Sequence, residues 1–370
     1  MKNILITGKN GFIAKNLISE LKNSGMYNIL EYDRLTTEKE LREYCTKTDV
    51  VVHLAGVNRP LEISEYAEGN NELTSSLISM LEEVNNTCPI IMSSSIQAEK
   101  ENPYGISKKA AEDILFTYSE KNKAEIMIYR LPNVFGKWCK PNYNSAIATF
   151  CHNIAREIPI HINDSHAEMR LVYIDDVVEE IIKAVQGKAN RVNEFCKIPT
   201  EYKSTVGEVA SLIQSFKETR NTHQVIDTSN PLVKKLYSTY LSYLKEDDFS
   251  YFLNMNTDSR GSFTEFLKTN DRGQVSINVS KPGIVKGNHW HHTKNEKFLV
   301  VSGEGVIRFR RIDSDQVIEY FVSGGKLEVV DIPVGYTHNI ENLGTTDLVT
   351  VMWANELFEK ERPDTYYVEV

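Results

Sequence analysis

A short β-branched run, Ile4–Thr7, leads straight into Gly8-Lys-Asn-Gly11-Phe-Ile-Ala14, and a helical apolar pattern over Phe12–Leu21 follows at once. That order constrains the fold more than any other stretch. Glycine lets the turn close, lets backbone approach a pyrophosphate, and lets the helix pack close to the strand, with alanine accepted at the third place. The helix N-terminus then offers free N–H groups to phosphates. The alternation continues. Ile29–Tyr32, Val50–Leu54, Ile90–Met92 and Ile126–Tyr129 are brief, β-branched-rich runs bounded by turn or helix signals, and helical spacing returns between them, as over Tyr104–Tyr118. Such alternation over about 130 residues predicts an α/β chain with a doubly wound parallel sheet.

From Asn142 to Leu244 the pattern turns more helical, with apolar periodicity in 145–156, 176–186 and 206–217, a segment expected to cap the sheet's carboxyl edge. After Asp247-Asp248 the character changes. Val300–Val301, Val306–Phe309, Val317–Phe321, Leu327–Ile332 and Leu348–Trp353 read as tightly spaced strands with Gly and Pro punctuation and no long helix, which predicts an all-β sandwich or barrel. Two domains are therefore expected, 1–248 and 249–370, with 137–245 holding most of the substrate-binding part of the first.

Charge excludes one class of partner. With 42 Lys and Arg against 51 Asp and Glu, the net charge of −9 leaves no basic footprint for a nucleic acid. No apolar run approaches the ~18 residues of a membrane span, and glycine at position 8 comes too early for a signal peptide, so a cytoplasmic chain is expected. All five cysteines fall within the first 196 residues and none forms a C-x-x-C pair, which reads as reduced core thiols.

Two groups of residues carry chemistry. In the first half, Asp33 stands 25 residues beyond Gly8, where an acidic group binds a ribose 2′-OH and points to NAD; Arg34 beside it suits a 2′-phosphate and points to NADP. NADPH is the cofactor expected, with NADH as the alternative. Tyr104-Gly-Ile-Ser-Lys108 puts a phenol and an ammonium on one helix face, and the ammonium is expected to lower the phenol pKa. Ser93-Ser94-Ser95 ends a strand, where a hydroxyl can hold a substrate carbonyl. In the second half, Gly283-x5-His289-x-His291-x4-Glu296-x6-Gly303 is followed by Pro333-x-Gly335-x-x-His338-x3-Asn342. His289 and His291 share a strand face, and Glu296 and His338 from neighbouring strands complete a set suited to zinc, iron, nickel or manganese, with zinc expected. His292 faces the other way.

The first half resembles the extended short-chain dehydrogenase/reductases over residues 1–245. The resemblance rests on Thr7-Gly8-x-x-Gly11-Phe12-Ile13, His53-Leu-Ala-Gly56, Asn70-x-x-x-Thr74, Ser93-Ser94-Ser95, Tyr104-x-x-x-Lys108 and Arg130-Leu-Pro-Asn133-Val-Phe-Gly136. It implies a Rossmann-type sheet, Tyr104 as proton donor, Lys108 on the nicotinamide ribose, and Ser95 (or Ser94) orienting the carbonyl. It also implies a cofactor held by Gly8, Asn10, Gly11, Phe12, Ile13, Asp33, Arg34, Leu54, Ala55, Gly56, Asn70, Tyr104, Lys108 and Leu131. Sugar-nucleotide contacts are expected from Asn133 and from Trp138, Lys140 and Asn144 in the aromatic and amide-rich stretch behind it. Arg170 stands one position off the place of a substrate arginine in many relatives.

The histidine blocks resemble the metal motifs of the cupin (jelly-roll) family, although the leading glycine of the second falls at Leu327. Asp258-Ser-Arg260-Gly-Ser-Phe263-Thr-Glu265 resembles the opening segment of cupin-type epimerases acting on nucleotide 4-keto-6-deoxy sugars. The whole chain resembles the bifunctional capsular-polysaccharide enzymes of the CapF type. That implies a UDP-4-keto-6-deoxy-HexNAc substrate, C3 epimerisation in the cupin, then C4 reduction to UDP-2-acetamido-2,6-dideoxy-L-talose on the route to UDP-N-acetyl-L-fucosamine. A C4 ketone acidifies the C3 proton and reduction removes that activation, so epimerisation comes first. Tyr336, Lys297 and Lys286 are candidates for the epimerising base. The rival reading is a one-step 4-ketosugar reductase with a structural or sensing cupin. A homodimer is expected on either.

Overall fold

The computed structural model describes residues 1–58, 62, 65–359 and 361–370. The chain divides into two compact units, Met1–Gln214 with Thr228–Lys245, and Ser215–Asp227 with Glu246–Val370.

In the first unit five parallel strands, β1 (Lys2–Thr7), β2 (Tyr27–Tyr32), β3 (Val50–His53), β4 (Ile90–Ser95) and β5 (Ile126–Leu131), lie in the order β2-β1-β3-β4-β5. Phe195–Cys196 and then Arg191–Val192 extend the sheet beyond β5. Side chains alternate across a strand, so β1 builds two cores at once. Ile4 and Ile6 pack on one face with Leu17, Leu21, Val177 and Ile181, while Leu5 faces Leu41, Val51, Leu77 and Leu115 on the other. Burial on both faces explains why these strands read as continuous apolar runs.

The helices between them are α1 (Phe12–Ser24), α2 (Glu38–Lys47), α3 (Leu73–Glu83) and α4 (Pro103–Asn122). Of these, α2 and α4 start on side-chain caps. Thr37 and Glu40 form a capping box at α2, and Asn102 accepts from Gly105 N–H at 2.8 Å to start α4 with proline in its first turn. The expected helices at 145–156, 176–186 and 206–217 form over Ala146–Ile154, Ile174–Val185 and Val206–Thr222. A small sheet of Tyr202–Thr205, Glu168–Tyr173 and Asn133–Phe135 accompanies them, which the helical reading of this region did not anticipate.

The second unit contains two antiparallel sheets. One has six strands in the order Met255–Asp258, Gly261–Thr269, Gly273–Ser280, Leu348–Ala354, Glu296–Ser302, Val329–Ile332. The other has five: Val317–Ser323, Glu304–Arg311, Tyr336–Asn342, Val285–Trp290, Tyr366–Tyr367. Phe298, Val300, Val330 and Leu348 from the first pack against Ile307, Phe309, Val322 and Ile340 from the second, a β-sandwich core. No helix in the described residues is long and apolar enough to cross a membrane.

Candidate active site and metal centre

The sheet order reverses at β1 and β3, and in open α/β sheets ligands bind outside the carboxyl ends of strands at such a point. Gly8, just past β1, has φ +74°, and a Cβ there would lie 2.8 Å from Ala55 Cα, past β3. Only glycine lets these two loops close. Gly11 caps α1 without any side-chain hydrogen bond, so the first-turn N–H groups stay free for phosphate. The resulting cavity, about 630 Å³, is lined by Gly8, Asn10, Gly11, Asp33, Arg34, Leu54, Ala55 and Gly56. The cradle fits a nicotinamide dinucleotide.

Other expected cofactor residues take different places. Phe12 and Ile13 open α1 and pack against the core, and Leu131 ends β5 buried. Asn70 acts through the loop: its Oδ1 accepts from Val57 N–H at 3.0 Å and its Nδ2 donates to Ser107 Oγ, also at 3.0 Å. Asp33 is held ionised by the Leu35 N–H and by Lys9, whose Nζ lies 3.1 Å away. Lys9 lies between the two glycines of the loop, at a place the glycine spacing leaves unspecified. His53 opens the His53-Leu-Ala-Gly56 stretch. It is buried between Thr7 Oγ1 (2.8 Å) and Thr74 Oγ1 (3.0 Å), and burial lowers its pKa to about 3.

The phenol–ammonium pair differs from expectation in its electrostatics. Burial pushes the Tyr104 phenol above its ordinary value; Ser95 opposes this, while Tyr66 and Tyr143 add to it. The Lys108 ammonium points to Ser93 O at 3.2 Å, and burial lowers it to about 8. The Tyr104 shift thus favours the protonated phenol. A Cβ at Gly56 would sit 3.2 Å from Lys108 Nζ, which places the ammonium at the rim of the cofactor cavity. Ser94 is committed elsewhere, donating to Glu112 at 2.5 Å, so Ser95 is the hydroxyl left for a carbonyl.

Glu112 is fully buried and also accepts from Arg130 Nε (3.0 Å) and Nη2 (2.6 Å). Removing one partner of a buried pair strands the other. Glu112→Ala is expected to cost about 3 kcal/mol, read as a drop in denaturant midpoint, with Glu99 on Arg130 keeping the loss at the low end of the range.

Of the expected sugar contacts, Trp138 is exposed with φ +69°, Lys140 Nζ lies 5.4 Å from the Tyr143 ring centre, and Asn144 is exposed. Asn133 Nδ2 donates to Arg170 O at 3.1 Å. The Arg170 guanidinium is taken up by Glu201 in two bonds of 2.6 and 2.8 Å.

In the second unit His289, His291, Glu296 and His338 converge, their donor atoms all within 4.8 Å of one another. His291 lies just past the end of its strand. A bulge precedes His289, with Asn288 at φ +59°, and bulges re-aim side chains in this way. Glu296 Oε2 is 3.4 Å from His291 Nε2 and 3.3 Å from His338 Nε2. None of these three atoms has a hydrogen-bond partner although all are buried. Orphaned donors of that kind fit a divalent metal. Burial acts to raise the Glu296 carboxyl, while the Lys294 ammonium, 3.2 Å from Oε1, acts to lower it. Burial also lowers His289 to about 3, the neutral form a ligand needs.

The adjoining cavity also admits Asp258, Arg260, Glu265, Lys286 and Lys294. Among the base candidates Lys286 lines it, with Nζ on Asn278 Oδ1 (2.9 Å) and Val279 O (2.8 Å). Lys297 pairs with Asp331 on the surface and Tyr336 packs against the core.

A parallel sheet with a glycine cradle and a Tyr–Lys pair defines a nicotinamide-dependent sugar-modifying enzyme, and the chain belongs to the NAD dependent epimerase/dehydratase family, matched over residues 4–196. Residues 256–366 match the Polysaccharide biosynthesis C-terminal domain. The chain is similar over its whole length to the capsular polysaccharide assembling protein CapF of Staphylococcus aureus, at 55% identity and TM-score 0.94, with 100% of both chains covered. It is 45% identical to a UDP-2-acetamido-2,6-beta-L-arabino-hexul-4-ose reductase of Pseudomonas aeruginosa, covering 99% of this chain and 98% of that one. A UDP-glucuronic acid 4-epimerase of Bacillus cereus, 19% identical with TM-score 0.55 over 65% of this chain and 98% of its own, shares the fold.

Proposed function

We propose that the chain epimerises C3 of a UDP-4-keto-6-deoxy-HexNAc in residues 249–370 and then reduces its C4 ketone with NADPH in residues 1–248. The product is UDP-2-acetamido-2,6-dideoxy-L-talose, on the route to UDP-N-acetyl-L-fucosamine. The observation that carries this reading is the presence in one chain of a Tyr104–Lys108 pair, its ammonium at the rim of a dinucleotide cradle, and a second cavity with four converging donors. The names of the two full-length relatives support the substrate class.

NADPH, when bound, supplies the hydride that C4 receives. Tyr104 gives its proton to the carbonyl oxygen, Ser95 orients that oxygen, and Lys108 holds the ribose and presents a positive charge. Lys9 and Arg34 flank Asp33 where a 2′-phosphate would lie, which favours NADPH over NADH. In the second cavity His289, His291, Glu296 and His338 would hold zinc, which would supply a fixed positive charge when bound. Lys286 lines this cavity with its ammonium hydrogens on Asn278 Oδ1, Val279 O and Ser262 O. An exposed apolar edge strand with Val317, Ile318, Tyr320 and Phe321 suits a homodimer in the cytoplasm.

The experiment is product analysis by NMR after incubation of the ketosugar with NADPH. Inverted C3 with an alcohol at C4 is expected; a reduced sugar with unchanged C3 contradicts the reading and favours the one-step reductase. In the same assay kcat/KM, which reports the free enzyme, is expected to fall as pH rises through about 8, where Lys108 loses its charge, while Tyr104 stays protonated.

A further inference from the structure

The turn after His291 is closed by residues far along the chain. The Asp364 carboxylate accepts the backbone N–H groups of His292 (3.0 Å), Thr293 (2.7 Å) and Lys294 (2.9 Å), and the Thr293 hydroxyl at 3.2 Å. Its backbone carbonyl accepts from His291 Nδ1. The chain then adds Tyr366–Tyr367 to the strand Val285–Trp290, with Tyr367 opposite His289. Val368 N–H donates to Asn288 O at 3.0 Å, and Val368 O accepts from the Thr337 hydroxyl. This one segment therefore touches His291 itself and the immediate neighbours of His289 and His338.

We propose that Asp364–Val368 is a strap that presets the donor set for a divalent cation, with Asp364 as the positioning residue. The inference rests on the metal reading of this cavity. A carbonyl only accepts, so His291 Nδ1 carries the proton and Nε2 keeps its lone pair. That lone pair faces Glu296 Oε2 at 3.4 Å with no hydrogen between them. Two acceptors so placed repel unless a cation lies between, and the strap is what stops the ring from turning to relieve the contact. Partners of this kind on a ligand's second nitrogen fix its tautomer and orientation, and their loss costs ~10–100-fold in metal affinity.

The test uses the full chain and zinc ion, with affinity read by competition against a chromogenic chelator. Asp364→Ala is expected to weaken zinc binding ~10–100-fold, and Asp364→Asn to fall between it and the wild type. A purely structural role would lower the melting temperature of the metal-free chain and leave the zinc affinity of the folded protein unchanged; that result overturns the strap. Should the alanine variant not fold, ¹⁵N-histidine NMR of the zinc-loaded wild type decides, with Nδ1 of His291 protonated and Nε2 on the metal. Zinc on Nδ1 overturns the proposal. A wild type that binds no zinc overturns the metal reading and the strap with it, whereas tight wild-type binding matched by Asp364→Ala overturns the strap alone.

Discussion

Tyr104→Phe is expected to lower NADPH oxidation on the ketosugar by about 10²–10⁴-fold, the range lost when a positioned general acid is removed. The expectation follows from where the phenol sits. Burial raises its pKa, which favours the protonated hydroxyl that the proposed proton transfer requires. Phenylalanine keeps the ring against Tyr66, 5.8 Å away, and removes only the oxygen. The melting temperature and NADPH affinity should therefore stay near those of the wild type. Stopped-flow oxidation at 340 nm together with fluorescence titration of NADPH separates the two. Loss of cofactor binding in step with rate would mean that Tyr104 holds the dinucleotide instead of donating a proton.

His338→Ala is expected to weaken zinc binding at least ~100-fold, more than an outer partner of the ligands would cost. Both ring nitrogens of His338 are buried without a hydrogen-bond partner, an arrangement that costs free energy unless a ligand takes one of them. Wild-type chain with zinc at about 100 times its dissociation constant should gain ~2.7 kcal/mol of stability. The variant should gain almost none at the same zinc concentration. Thermal melts with and without zinc read both values, and equal zinc-induced shifts in the two proteins would remove His338 from the ligand set.

The loop that lines the cavity beyond β1 was legible because it depends on local spacing. Gly8 must follow β1 whatever packs around it, and Gly8, Asn10, Gly11, Asp33 and Arg34 line the cavity where the strand–loop–helix order placed them. The four metal-ligand candidates were legible for the same reason. Strand parity held more than was drawn from it: Lys297 adjoins Glu296, so it must face away from the cavity and pair outside, as it does with Asp331.

Long-range partners left no such trace. Asp364 lies 73 residues beyond His291 and reaches it only through sheet pairing. Lys9, in the loop after β1, meets Asp33, just past β2 and on the far side of α1, and the glycine spacing does not announce that. The direction of the Tyr104 shift was misjudged because the sequence shows the nearby ammonium but not the burial, which dominates. Short strands were missed too. Asn133–Phe135 spans three residues, too few for periodicity to register. Residues 215–227 cluster with the second unit although no change of composition marks them.

The most direct test of two linked activities is proton NMR of the UDP-4-keto-6-deoxy-HexNAc in D2O with wild-type enzyme and no NADPH. The account predicts loss of the C3 proton signal, abolished by His289→Ala and retained in Tyr104→Phe. A C3 proton that persists, in enzyme that still oxidises NADPH when it is added, would contradict it and leave a one-step reductase with a structural second domain.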